Sequence, residues 1–89
     1  MKKLKTIVHG DLRVVVEVTA SDDVTHHCLD LAATCGETTR RSRLTQHPNP
    51  DRAIEHLESD VDKLAERLAR EAAGHERARL LKKAYLEGE

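Results

Sequence analysis

The chain has 89 residues, with 15 Lys and Arg against 16 Asp and Glu, a formal net charge of −1, no Phe or Trp and a single Tyr. A chain of this size forms one domain, residues 1–89, and buries only about 60–65% of the surface its unfolded form exposes. The near-neutral charge excludes a global pull toward nucleic acid or anionic membrane.

With almost no aromatic residues, Leu, Val, Ile and Ala must supply the burial that aromatics usually dominate. So thin a core predicts self-association into a homodimer or higher oligomer, because a partner surface supplies what one copy lacks. Lys2, Lys3 and Lys5 are not followed by an apolar run of signal-peptide length, and no stretch is apolar enough to span a membrane. The expectation is a soluble, cytoplasmic protein with no membrane partner.

The elements predict an α+β fold. Residues 3–20 read as an N-terminal β-hairpin, with Gly10-Asp11 as a two-residue turn carrying Gly at its first central position. That turn sets His9 opposite Leu12, Ile7 opposite Val14 and Lys5 opposite Val16. Ile7, Leu12, Val14, Val16 and Val18 then share one face, and Leu4, Thr6, Val8, Arg13, Val15 and Glu17 the other. A lone hairpin is marginal in water, so the first face must be covered.

Ser21-Asp22-Asp23 has the chemistry of a helix start, and the pattern predicts a short helix over 22–35 that stops at Gly36. Val24, Cys28, Leu31 and Cys35 would form its buried stripe. Seven residues of helix separate the two cysteines by about 10.5 Å, beyond disulfide reach, so both are expected as reduced, buried thiols. Residues 37–48 are open between a polar edge strand and a loop: Thr38, Thr39 and Thr45 favour strand, and a helix here would have no apolar face.

Leu31-Ala32, then Gly36, Thr38 and arginines, is similar to the core of helix-turn-helix regulators, in which an Ala packs under a Gly turn and the next helix enters the major groove. The strand-then-helix order from Leu12 to Cys35 is similar to ribbon-helix-helix repressors. Each likeness covers a short part of the chain. Each also departs from its pattern at Arg40, Arg41, Ser42 and Arg43, where a second helix requires apolar residues, so no family is assigned. The likeness implies DNA contact through Arg40, Arg41 and Arg43.

Asn49-Pro50-Asp51 opens the longest element, a helix over 50–86 with a capping amide, a proline at its first position and an acid in its first turn. Ile54, Leu57, Val61, Leu64, Leu68 and Ala72 line one face. At about 100° per residue, Ala78, Leu81, Ala84 and Tyr85 lie nearly opposite. The switch falls at Gly74, so the helix either kinks there or runs through and presents two faces to two neighbours. In the second case truncation after Gly74 should spare the fold and abolish association. Acids dominate up to Glu66 and bases from Arg67 onward, an order that matches the helix dipole and lets two copies lie antiparallel.

Chemistry has little to stand on. His26, His27 and Cys28 with Cys35 and His47 invite zinc, but ligands must converge on one point at about 2.0–2.3 Å, and the chain has no CxxC or HxxxH pair. No nucleophile elbow, Gly-rich phosphate loop or paired-carboxylate setting is present. The expectation is a non-enzymatic regulatory or inhibitory protein without metal or cofactor. It would bind its own copy through Ala78, Leu81, Ala84 and Tyr85 and block a larger protein; the alternative is a DNA-binding regulator using Arg40, Arg41 and Arg43.

Overall fold

In a computed structural model that describes residues 2–20, 28–45 and 50–88, with side chains outside 50–55, the N-terminal hairpin is built as its sequence dictates. Strands β1 (Lys2–His9) and β2 (Leu12–Ala20) pair antiparallel in the expected register, with His9 opposite Leu12, Ile7 opposite Val14 and Lys5 opposite Val16. Gly10 has φ 63°, and among the described residues no non-glycine has positive φ. A turn with positive φ only at its first central position matches the strands' right-handed twist, and glycine takes it without a Cβ penalty.

Two further strands, β3 (Cys28–Cys35) and β4 (Thr38–Thr45), complete a four-stranded antiparallel sheet in the order β1-β2-β3-β4. The helix expected over 22–35 is therefore corrected: residues 28–35 are a strand, and Val24 lies outside the described residues. The spacing of Leu31 and Cys35 suits a helix stripe, but Leu29, Leu31, Ala33 and Cys35 also alternate, as one face of a strand requires. The hairpin needs a third strand for independent stability, and this segment supplies it. Gly36, with φ 57°, begins a second turn of the same Gly-then-acid type as Gly10-Asp11, with Cys35 opposite Thr38. The polar segment after it is an edge strand, one of its two expected readings. It is the fourth strand rather than the third.

One helix, α1 (Pro50–Glu87), lies across one face of the sheet, packed mainly on β3 and β4 and least on β1. It runs through Gly74 without a break. The buried core joins Val14, Val16, Val18, Leu31, Ala33 and Cys35 of the sheet to Val61, Ala65, Leu68, Ala69, Ala72 and Ala73 of the helix. Leu57 and Leu64 pack at its margin, and the side chain of Ile54 lies outside those described. Small alanines along the contact let the helix lie close to the sheet, which offsets the missing aromatics by proximity rather than bulk.

Both cysteines are free and buried. The reason differs from the helical one, since along a strand seven residues span about 23 Å. Cys35 sits in the core, where burial first and then the Glu76 carboxylate push its thiol pKa up, against a smaller opposing effect of Arg77. It therefore stays protonated, as a small hydrophobe.

Candidate functional site

Strand alternation splits the basic cluster of Arg40, Arg41 and Arg43. Arg40 stands opposite the core residue Ala33, on the helix side, 3.7 Å from the Glu71 carboxylate. Arg41 and Arg43 stand opposite Ala32 and Asp30 on the other face, where Arg43 Nε donates to Asp30 at 2.9 Å. The three arginines thus do not converge on one surface, because neighbouring strand residues point to opposite faces. The edge strand β1 carries its bases the same way: Lys5 pairs with Asp62 of α1, and Lys2 lies 3.5 Å from Glu17.

The most tightly organised polar group joins α1 to the two sheet turns. In an antiparallel meander the β1–β2 and β3–β4 turns fall at the same end, and residues 76–79 of α1 pass over both. Glu76 occupies the core phase of the helix, one turn beyond Ala72, and is only 3% exposed. Its carboxylate accepts the backbone N–H of Glu37 at 3.2 Å, the Thr38 hydroxyl at 3.3 Å and Arg79 Nε and Nη2 at 2.5 and 3.1 Å. Arg79 also reaches the Glu37 carboxylate at 3.1 Å. A buried carboxylate is tolerated when its oxygens are this fully donated to. The Arg79 hydrogen bond is the largest influence on it; together with the Glu37 N–H, the Arg79 charge and the Thr38 hydroxyl it outweighs burial and lowers the Glu76 pKa to about 2. Gly36 must lack a side chain for the carboxylate to sit there, since a Cβ would fall on Glu76 Oε2. Arg77 holds the other turn, donating to Asp11 at 3.1 Å beside Gly10.

This clamp decides which part of α1 is free. Truncation after Gly74, expected to spare the fold, would remove Glu76, Arg77 and Arg79, so the separable segment starts after Arg79. From Leu80 to Glu87 the helix advances about 12 Å further, and every described side chain in it is exposed. Leu81 is 66% and Tyr85 79% exposed, with Leu80 and Leu86 beside them and Ala84 between. Ala78, one turn earlier, also faces solvent. Gly74, Ala78, Leu81 and Tyr85 thus form a stripe on the side of α1 away from the sheet. Upstream that stripe is basic, with exposed Lys63, Arg67 and Arg70.

Sequence reasoning offered an outward-facing end of α1 as one of two readings at Gly74 and missed the clamp. The available signal was one acid, Glu76, at the phase of the apolar stripe, together with the repeated Gly-acid turn. Among the described residues no group of three His, Cys, Asp or Glu could hold a metal ion, and His26, His27 and His47 lie outside them. No described helix is long and apolar enough to cross a membrane. The chain matches no known family model, no curated protein and no solved structure.

Proposed function

We propose that this is a non-enzymatic interaction protein, a small regulator or inhibitor that self-associates through the free end of α1 and uses the resulting assembly to engage a larger protein. The observation that supports this reading is the segment beyond the clamp: Leu81, Tyr85 and Leu86 are each about two-thirds or more exposed, and Leu80 is exposed as well, on a stretch of helix where every described side chain is exposed. A scattered surface leucine needs no explanation, but Leu81 and Tyr85, one turn apart on the same side of the helix and in line with Ala78, form an exposed apolar stripe of the kind that marks an interface. The DNA-binding alternative has less support. Arg40 and Arg43 are committed to Glu71 and Asp30, and Arg41 points away from Arg40.

The test is sedimentation of the full chain across micromolar concentrations, with Leu81→Glu/Tyr85→Glu as comparison. The expected result is a concentration-dependent dimer that the double substitution abolishes without lowering monomer helicity. A compact 10.0 kDa species at every concentration would refute self-association. A salt-dependent mobility shift with duplex DNA, lost on Arg41→Ala, would favour the alternative, since phosphate contacts weaken steeply with salt.

A further inference from the structure

Gly74 is exposed in the interior of α1, its φ is not positive, and an added Cβ would meet nothing within 4 Å. Among the described residues, nothing in its own chain explains a residue that forms helix so poorly. The two glycines that do have such a reason, Gly10 and Gly36, show it plainly as positive φ and a close neighbour. Gly74 lies on the same outward stripe as Ala78, Leu81 and Tyr85. Their spacing of four, three and four is that of a two-helix seam rather than the broader stripe that packs on a sheet.

We infer that the partner on this stripe is a second copy of α1, crossing antiparallel at Ala78, so that Leu81 of each copy fills the gap left by Gly74 of the other. This rests on the self-association proposed above and adds its geometry. An antiparallel pair crossing at Ala78 sets each residue opposite the one equally far on the other side of it. Ala78 then meets Ala78, a small residue where the axes come closest. Leu81, the large exposed side chain next along the seam, faces His75 of the other copy and lies about 1.5 Å along the axis from the glycine, close enough to enter its gap. Tyr85 falls over Arg70 and Glu71 of the second copy, with its ring face open to the guanidinium.

Charge selects this orientation over the parallel one. Glu71, which in its own chain lies 3.7 Å from Arg40 and keeps a 41% exposed side chain, and Lys82 lie on the same flank of the stripe, and the antiparallel crossing brings each within a turn of the other copy's opposite charge, an acid–base pair formed twice by the two-fold axis. A parallel pair would set Lys63, Arg67 and Arg70 against their own copies. The antiparallel pair separates the two Arg67 residues by about 33 Å along the axis, beyond the screening length of about 8–10 Å. The sheets lie on the outer sides of the paired helices and do not meet. About three helical turns a side make a small interface, so the dimer is reversible.

Two measurements on the full chain test this. In sedimentation equilibrium, Glu71→Lys and Lys82→Glu should each weaken dimerisation at least several-fold, and the double exchange should restore it to within about twofold of the wild type; because Glu71→Lys also loses the pair with Arg40 of its own chain, restoration by the double exchange, which leaves that loss in place, is the deciding result. In oxidative cross-linking, a mixture of Gly74→Cys and Leu81→Cys chains should give a mixed covalent dimer, while Leu81→Cys alone gives none; the native thiols are both buried. A dimer that ignores the charge variants, or that self-cross-links through Leu81→Cys, overturns the crossing while leaving self-association intact. A wild-type chain that stays monomeric overturns both.

Discussion

Replacing Gly74 by Ala tests the two roles of α1 at one position, because the fold and the proposed pairing pull in opposite directions there. Within one copy the substitution is free of steric cost: the backbone is helical and the new methyl meets no atom within 4 Å. The change then reduces to intrinsic helix preference, about 0.8–1.0 kcal/mol in favour of Ala. For a domain of this length such a gain raises Tm by about 4–8 °C. Between copies the methyl occupies the space that Leu81 enters, so dimerisation should weaken. Unfolding of a dimer depends on concentration, so thermal melts followed by circular dichroism should be run at low micromolar concentration and below, with sedimentation at each. The expected result is a higher Tm in the dilute, monomeric limit together with a larger dissociation constant. A lower Tm in that limit would mean that glycine is required by the fold, and the account of a continuous, unstrained helix would be wrong. A higher Tm with unchanged dimerisation would remove Gly74 from the interface.

The clamp makes three further predictions. Glu76 has a folded pKa of about 2 against an ordinary 4.5, a depressed value, so its stabilisation is complete above pH 4.5 and is lost as pH falls toward 2. The stability difference between wild type and Glu76→Gln in urea unfolding should accordingly shrink over that window, and a difference constant from pH 6 to pH 2.5 would refute the assigned hydrogen bonds. Gly36→Ala should destabilise by at least about 1–2 kcal/mol through its left-handed backbone alone, and more through collision with Glu76; a neutral result in the same assay would show that the turn relaxes. Leu68→Ala, at a position only 2% exposed, should cost about 2–5 kcal/mol. That is a large share of a marginal total, and a value below 1 kcal/mol would mean the helix–sheet contact collapses to fill the space.

Local signals determined the parts of this protein that depend on neighbouring residues. The Gly10-Asp11 turn and the alternation around it specify the first hairpin down to its register, because a one-residue slip would turn Val14, Val16 and Val18 away from the core. The Pro50-Asp51 start and the three-and-four spacing from Leu57 to Ala72 specify α1. The reversal of apolar phase at Gly74 leaves a kinked helix and a straight, two-faced one both open, and the packed structure decides for the straight helix. What residues 28–35 become was decided only by tertiary structure: Leu31 and Cys35 suit a helix stripe as well as a strand face, and the open edge of β2 selects the strand by offering hydrogen bonds that a helix cannot use. The same pairing scatters Arg40, Arg41 and Arg43 over two faces. It also brings Glu76 to the β3–β4 turn across a separation of 39 residues, a contact that exists only once sheet and helix have packed, because no local pattern encodes the meeting of two elements so far apart in the chain.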